Sequence, residues 1–276
     1  MNFDNCRICG SYEARPTALV RGSQYVRCPL CGVERMAKYP DTEEIAAFYD
    51  SGYMSQRDEN PSIHIHFSQE YRESYFSEKD LTFSDLKLSH KDLIGRRILD
   101  VGCANGQFIE YLKRRAVEGA EGIDVSTEMV GMARKNGHDC QVKELLEMNG
   151  EYDLLFFWDV IEHMTNPREA VRKAKTLLRQ DGELILQTPC TGMISELFAE
   201  HWLYYMPIEH IHLFSQESLF RLLADEGFSI VNWVRFGSCN PGDGTIPAVN
   251  KKAMDTIAKR LGIGDTIAVR ARRVEN

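Results

Sequence analysis

The chain has 276 residues, 43% hydrophobic and 27% charged, which is ordinary for a globular protein. Its formal net charge of -8 argues against broad, sequence-independent binding of nucleic acid, because such binding needs Lys and Arg to neutralise phosphates. We find neither the layout of a signal peptide nor an apolar run of membrane-spanning length. A cytoplasmic protein without membrane contact is therefore the expectation.

Four of the eight cysteines lie near the start of the chain in the pattern C-x2-C-x18-C-x2-C. Each pair can close on one metal ion as a tight turn, and Gly10 and Gly32 after the pairs allow the left-handed conformation that such turns need. Four thiolates suit tetrahedral zinc and leave no place for a catalytic water, although the same ligands could hold iron. The sequence predicts a structural zinc module over residues 1–40, with the ligands Cys6, Cys9, Cys28 and Cys31.

Residues 41–95 are predicted to form a helical linker or cap. Thr42 stands where an N-cap is expected, directly before a short amphipathic helix. The following segment is polar and aromatic with irregular periodicity, which is typical of helical pieces that cover the edge of a neighbouring domain.

From residue 96 to the end, strand-like apolar runs alternate with helical patterns, which is typical of a mostly parallel sheet covered by helices on both faces. One helix has Pro167 in its first turn and is expected to end before Asp181; another has Ser215 and Ser218 as competing N-caps. The predicted strands are 97–102, 119–125, 151–160, 182–189, 228–236 and 265–273, and the predicted helices are 106–115, 127–136, 167–180, 215–228 and 247–261.

Polar and glycine residues stand at the carboxyl ends of the first two of these strands, where ligands bind in parallel sheets. Asp100 closes the first strand and is followed by Gly102 and Gly106. Asp124 closes the second strand, 22 residues after Gly102, at a spacing typical of a carboxylate that binds ribose hydroxyls. A dinucleotide turn has its second and third glycines at positions that are Ala104 and Gln107 here. Because the third glycine is missing, the pattern favours a ribose over a pyrophosphate.

The segments "LDVGCANGQF", "GIDVSTEMVGMAR", "YDLLFFWDVIEHM" and "LLRQDGELILQTP" together resemble the class I S-adenosylmethionine-dependent methyltransferases. The resemblance implies the Rossmann-like fold of that family over residues 96–276, with a mostly parallel seven-stranded sheet. It also implies a set of cofactor contacts: Asp100, Gly102, Cys103, Ala104, Gly106, Asp124, Val125, Glu144, Leu145, Asp159 and Val160.

The N-terminal cysteines, the segment "FYDSGYM" and the late "PIEHIHLFS" are similar to the branch of that family that acts in sugar, polysaccharide and antibiotic biosynthesis. That similarity implies a small-molecule acceptor and a catalytic group formed by Tyr205, Glu209 and His210. A hydroxyl acceptor needs a base, and His210 is the first candidate and His163 the second. The aromatic run at 202–207 is expected to form either a substrate platform or ordinary core.

Two other functions remain open at this point. An RNA methyltransferase could use the zinc module to grip nucleic acid, although residues 1–40 carry only six Lys or Arg against three acidic residues. A non-catalytic, zinc-bearing scaffold is the other alternative, and the presence of Asp100 and Asp124 argues against lost cofactor binding. The sequence defines neither the acceptor nor the oligomeric state.

Overall fold

A computed structural model describes residues 3–50, 69–238 and 248–275, so residues 51–68 of the predicted helical linker lie outside the described residues. The chain divides into two compact units, one formed by Met1–Tyr39 with Asn149–Asn276 and the other by Pro40–Met148. The cysteine-bearing segment thus shares a compact unit with the C-terminal half of the chain. The predicted domains, 1–40, 41–95 and 96–276, divide the chain along the sequence and not by compactness. They stay a prediction.

The described helices and strands follow one another largely as the hydrophobic pattern predicts. In chain order they are β1 (Arg15–Val20), β2 (Ser23–Arg27), β3 (Glu34–Met36), α1 (Thr42–Asp50), α2 (Gln69–Asp85), α3 (His90–Leu93), β4 (Ile98–Val101), α4 (Gln107–Lys113), β5 (Ala120–Asp124), α5 (Thr127–Lys135), β6 (Cys140–Val142), β7 (Tyr152–Trp158), α6 (Pro167–Leu177), β8 (Leu178–Thr191), α7 (Met193–Phe198), β9 (His212–Ser215), α8 (Gln216–Asp225), β10 (Phe228–Phe236), α9 (Ala248–Leu261) and β11 (Thr266–Arg273).

In the unit Pro40–Met148, β4, β5 and β6 pair in parallel, with Asp100 opposite Gly122 and Asp124 opposite Val142. All four residues of β4 are buried, as expected for a strand covered on both faces. Gly106, with φ of +80°, lies directly before α4, and a Cβ at this position would lie 2.7 Å from the ring of His138. Only glycine fits both the backbone conformation and the space there.

The N-cap predicted at Thr42 is wrong, because Asp41 takes that place. The side chain of Asp41 accepts a hydrogen bond from the backbone N–H of Glu44, and the Glu44 carboxylate accepts one from the N–H of Asp41. This reciprocal arrangement satisfies two backbone donors, which a threonine side chain at position 42 would not do.

In the other unit, β7, β8 and β9 are parallel, and β11 pairs antiparallel with both β8 and β10. The N-terminal strands β1, β2 and β3 form an antiparallel meander, and β3 pairs antiparallel with β9. In that pairing Glu34 lies opposite Leu213 and Arg35 opposite His212. The cysteine-bearing segment therefore extends the sheet of this unit.

Helix boundaries in the same unit sharpen two predictions. Helix α6 begins at Pro167 after the N-cap Asn166, but it ends at Leu177 rather than at residue 180, because β8 begins at the next residue, Leu178. Ser215, not Ser218, is the N-cap of α8, because its side chain accepts a hydrogen bond from the backbone N–H of Ser218. Among the described residues, every helix is too short or too polar to cross a membrane.

Candidate functional site

The turn after β4 brings the predicted glycine-rich residues against the end of β5. The backbone N–H groups of Gly102 and Cys103 both donate to the carbonyl oxygen of Ile123, at 2.8 and 2.9 Å. Gly102 and Ala104 both have positive φ, +72° and +45° respectively. Ala104 thus stands in a left-handed conformation that costs a residue with a Cβ about 1 kcal/mol.

Asp124 joins the two strand ends through both of its carboxylate oxygens. Oδ2 accepts a hydrogen bond from the backbone N–H of Ala104 at 2.9 Å, and Oδ1 accepts one from that of Ser126 at 2.8 Å. A carboxylate can accept about four hydrogen bonds, so each oxygen retains acceptor capacity for a further donor. The pair of hydroxyls on a ribose would supply such donors.

Asp100 is 2% exposed at the end of β4. Burial raises the pKa of this carboxyl well above its usual value, the nearby Cys140 and Asp124 raise the pKa further, and the buried Lys79 ammonium lowers it. The carboxyl groups of Asp100 and Asp124 therefore have one buried cation near them, the ammonium of Lys79. A positively charged ligand group would relieve the cost of ionising Asp100.

The remaining predicted cofactor residues differ in position and exposure. Cys103 and Leu145 are buried, whereas the Val125 side chain is 62% exposed directly after β5. Glu144 precedes a short 3-10 helix, Leu145–Glu147, in which the Glu147 side chain accepts a hydrogen bond from the Glu144 backbone N–H. Asp159 and Val160 belong to the other compact unit, directly after β7.

Asp159 follows β7 with φ of +54°, an unusual backbone for a non-glycine residue. Its Oδ2 accepts a hydrogen bond from Gln187 Nε2 at 2.8 Å.

Three side chains of the unit that holds β7 and β9 form a compact cluster: Glu162, His163 and His210. One potential metal-binding atom of each lies within 4.8 Å of those of the other two. The carbonyl oxygen of Glu162 accepts hydrogen bonds from the backbone N–H groups of Ile211 and His212, at 2.9 and 3.0 Å. These backbone bonds bring the segment after β7 beside the segment that leads into β9.

The two histidines of this cluster are oriented by backbone carbonyls. His163 Nδ1 lies 2.7 Å from the carbonyl oxygen of Glu209, and His210 Nδ1 lies 2.8 Å from that of Tyr204. Because a carbonyl oxygen can only accept, each Nδ1 carries the hydrogen, and in the neutral ring Nε2 carries the lone pair. The rings meet edge to face with their centroids 4.9 Å apart.

Glu162 is fully buried, and sequence reasoning did not identify it. Its Oε2 accepts a hydrogen bond from Thr188 Oγ1 at 2.9 Å, while Oε1 has no hydrogen-bond partner in the described part of the chain. Oε1 lies 3.9 Å from His163 Nε2. Burial, and secondly the carboxylate of Asp159, raise the pKa of Glu162 well above its usual value. Its place next to His163 in "DVIEHM" was the available sequence signal.

Tyr205 and Glu209, the other predicted catalytic residues, are both largely buried. The Tyr205 hydroxyl donates to the carboxylate of Glu34, and burial, together with that carboxylate, raises the pKa of the phenol. The Tyr205 ring packs against Trp202 and Tyr25, at centroid distances of 5.3 and 4.9 Å. Because Trp202 and Tyr205 are buried in a hydrophobic cluster, they form core and not an exposed substrate platform.

The four N-terminal cysteines converge. Sγ of Cys6 lies 3.6 Å from Sγ of Cys31, Sγ of Cys9 lies 3.5 Å from that of Cys28, and the four sulfurs are within 4.8 Å of one another. A tetrahedral zinc ion with Zn–S bonds of 2.3 Å would separate its sulfurs by about 3.8 Å. The donor set and its spacing therefore fit zinc.

Both cysteine pairs have the same backbone turn. The N–H of Gly10 donates to the Cys6 carbonyl oxygen at 2.7 Å, and the N–H of Gly32 donates to that of Cys28 at 2.9 Å. Gly10 and Gly32 have φ of +77° and +79°, as the sequence predicts. In each turn the carbonyl oxygen of the residue before the second cysteine accepts a hydrogen bond from an arginine of the same compact unit. Arg168 donates to the Ile8 oxygen and Arg221 to the Leu30 oxygen.

Residues 68–232 match the profile of a family described as methyltransferase domain, which is 165 of the 276 residues. The match begins before the predicted boundary at residue 96. Curated relatives include the ubiquinone biosynthesis O-methyltransferases of Neisseria meningitidis serogroup A, 29% identical over 133 residues (43% of this chain and 56% of the relative), and of Dechloromonas aromatica, 34% identical over 119 residues (39% and 50%). The chain spans about half the length of the curated relatives it matches.

Solved structures show the same fold at low sequence identity. The magnesium protoporphyrin IX methyltransferase of Synechocystis PCC 6803 with bound S-adenosylhomocysteine has a TM-score of 0.56 at 18% identity, covering 84% of this chain and 99% of that one. An S-adenosylmethionine-dependent methyltransferase of Mesorhizobium loti has a TM-score of 0.52 at 19% identity, covering 70% and 97%. The predicted Rossmann-like fold with a mostly parallel sheet is thereby confirmed.

Proposed function

The chain belongs to the methyltransferase domain family, and on that premise we propose that it transfers a methyl group from S-adenosylmethionine to a small-molecule acceptor. The observation that carries the proposal is the hydrogen bond from the backbone N–H of Ala104 to the Asp124 carboxylate, near the buried Asp100. This arrangement offers acceptors for ribose hydroxyls and negative charge for an ammonium group, which are the two polar ends of that cofactor.

Within this proposal, each predicted cofactor residue has a role. Asp124 binds the ribose and Asp100 balances the ammonium group. Backbone groups of the turn contact the methionine part, the residues after β5 and around the 3-10 helix flank the adenine, and the residues after β7 line the sulfonium side. The proposed contacts are Asp100, Gly102, Cys103, Ala104, Gly106, Asp124, Val125, Glu144, Leu145, Asp159 and Val160.

The acceptor is proposed to be activated at the cluster of Glu162, His163 and His210. A hydroxyl must lose its proton before or during attack on the methyl group, and the Nε2 lone pairs of His210 and His163 suit that task. Tyr205 and Glu209 support it indirectly: Tyr205 packs in the core beside the segment that holds His210, and the Glu209 carbonyl fixes the His163 ring.

The acceptor class is a hydroxyl-bearing biosynthetic intermediate, with a sugar or nucleotide sugar favoured by the sequence resemblance. The relatives named O-methyltransferases support transfer to oxygen. An RNA acceptor has less support, because Arg168 and Arg221, the arginines at the cysteine turns, donate to protein carbonyls and Arg168 also pairs with Asp225 and Glu226.

Structural zinc at the four cysteines is part of the proposal. Its support is the convergence of the sulfurs and the repeated turn, and the ion would hold the two ends of the N-terminal segment together without taking part in methyl transfer. A thiolate site of this kind persists where thiols stay reduced, so we also propose a cytoplasmic location.

The test combines binding with turnover. Calorimetry with S-adenosylmethionine and S-adenosylhomocysteine should show saturable binding, and an Asp124→Ala variant should bind at least ten-fold more weakly. A methyl-transfer screen over nucleotide sugars, phenols and RNA then identifies the acceptor class. Absence of cofactor binding by the folded, zinc-loaded chain contradicts the proposal, whereas binding without turnover on any class favours the scaffold alternative.

A further inference from the structure

We propose that Glu162, His163 and His210 together bind one divalent first-row transition-metal cation, at a site distinct from the four cysteines. The proposal deepens the proposed function, and only its consequence for methyl transfer rests on that function. The cation would be held by one carboxylate oxygen and two imidazole nitrogens.

The orientation of the ligand side chains supports this site. Each histidine donates its Nδ1 hydrogen to a backbone carbonyl, at 2.7 Å for His163 and 2.8 Å for His210, which fixes the tautomer that presents a lone pair on Nε2. Metal-binding histidines almost always have such a partner on the second ring nitrogen. The Glu162 carboxylate is likewise anchored, because Thr188 donates to its Oε2.

The second, independent observation is the other oxygen of Glu162. Oε1 is fully buried and has no hydrogen-bond partner among the described residues, although an unsatisfied buried acceptor is costly. It points into the cluster, 3.9 Å from His163 Nε2. A cation bound to Oε1 would supply the missing interaction.

The spacing of the three groups is compatible with one ion. One potential ligand atom of each residue lies within 4.8 Å of those of the other two, and Glu162 Oε1 lies 3.9 Å from His163 Nε2. Ligands at metal distances of 2.0–2.2 Å are separated by about 3.0–3.5 Å. A bound ion would draw the three groups closer together. Two imidazoles and one carboxylate suit zinc, iron or manganese and leave coordination positions open.

Those open positions give the cation a role in methyl transfer. An acceptor hydroxyl bound to the cation loses its proton to water more readily, because the metal stabilises the oxyanion. The oxygen lone pair then forms a bond to the methyl carbon, the carbon–sulfur bond breaks, and its electron pair stays on sulfur as a neutral thioether. With the cation bound, the two imidazoles would hold the metal and would not accept the proton themselves, and the methyl ether is released from the cation.

Equilibrium dialysis of the full chain at micromolar free zinc tests the site. The wild type should bind two zinc ions per chain, one at the cysteines and one at the cluster, and Glu162→Gln should bind one. The glutamine keeps the size of the side chain and an acceptor for Thr188. A matched control, Glu196→Gln, removes an exposed carboxylate of the same compact unit and should bind two.

One zinc per wild-type chain, or two per Glu162→Gln chain, overturns the proposal. If Glu162→Gln does not fold, as judged by loss of the cysteine-bound zinc, His210→Gln replaces it with the same expected result. Metal binding is measured without cofactor or acceptor, so its outcome is separate from that of the proposed function. A chain that binds two zinc ions but no S-adenosylhomocysteine would keep the cation site and lose the methyltransferase proposal.

Discussion

The backbone N–H of Ala104 donates to the carboxylate of Asp124, with 2.9 Å between the nitrogen and Oδ2. The residue proposed to bind ribose therefore also fixes the turn proposed to bind methionine. Because a second backbone N–H, that of Ser126, donates to the other oxygen, both acceptor atoms are used in the folded chain. Stability and cofactor affinity should consequently change together when these hydrogen bonds of Asp124 are altered.

Asp124→Asn should lower the free energy of unfolding by about 1–2 kcal/mol, because the amide has one acceptor oxygen for two backbone donors. The same change should weaken S-adenosylhomocysteine binding at least ten-fold. Urea unfolding and calorimetry measure the two effects. The exposed Asp139 provides the matched control, and Asp139→Asn should leave both quantities unchanged. An Asp124→Asn protein that keeps full stability would show that the hydrogen bonds of Asp124 do not stabilise the turn.

Replacing Ala104 by glycine should stabilise the protein by about 0.5–1 kcal/mol, because φ of +45° is strained for alanine and not for glycine. Ala116 is exposed and has φ of +59°, so Ala116→Gly should stabilise the protein by a similar amount. Cofactor affinity should stay the same or rise in Ala104→Gly and be unaffected in Ala116→Gly. Ala104→Val should lose both stability and affinity, since a β-branched residue tolerates positive φ poorly. Equal stability of Ala104→Val and wild type in urea unfolding would contradict this account.

Most of the elements were predictable because their signals are local. Strand β10 has the predicted bounds, Phe228–Phe236, since glycines at 227 and 237 with positive φ interrupt the chain on both sides. The cysteine turns were predictable for the same reason, because each needs only two cysteines and the glycine that follows.

Contacts between distant segments could not be read from the sequence. Tyr205 and Glu34 are 171 residues apart, and their hydrogen bond depends on the pairing of β3 with β9. Glu162 was missed because a glutamate beside a histidine is ordinary in sequence. Only the fold shows that this one is fully buried, with an oxygen that has no partner among the described residues.

Asp100→Asn should change stability and S-adenosylmethionine affinity in opposite directions at alkaline pH. Burial raises the folded pKa of Asp100 above the unfolded value, so the stability that this carboxyl contributes is present at low pH and is lost as pH rises through the folded pKa. The asparagine variant lacks that loss and should be the more stable protein on the alkaline side. It should also bind S-adenosylmethionine at least ten-fold more weakly, because an amide cannot balance the ammonium charge. Urea unfolding across a pH series and calorimetry measure the two effects, and parallel stability curves for both proteins would refute the argument.

Tyr25 links the cysteine-bearing segment to His210, since its hydroxyl donates to the His210 carbonyl oxygen at 3.0 Å. A backbone hydrogen bond links the same two segments, because the N–H of Met36 donates to the Ile211 carbonyl oxygen at 3.0 Å. Tyr25→Phe removes one buried hydrogen bond and should cost about 1 kcal/mol of stability. It should lower kcat for the identified acceptor several-fold, because the segment that carries His210 loses a fixed point.

Cofactor binding should be unchanged in Tyr25→Phe, since the lost hydrogen bond is made to the His210 carbonyl, which is not a proposed cofactor contact. Tyr12, which is 79% exposed, supplies the control, and Tyr12→Phe should match the wild type in every measurement. Cys9→Ser removes one ligand of the cysteine-bound zinc and leaves the proposed cation site of Glu162, His163 and His210 intact. It should act in the same direction and more severely, because the zinc would hold both cysteine turns at once. If Cys9→Ser loses the cysteine-bound zinc but keeps the wild-type kcat, the proposed link between the cysteine site and His210 is wrong.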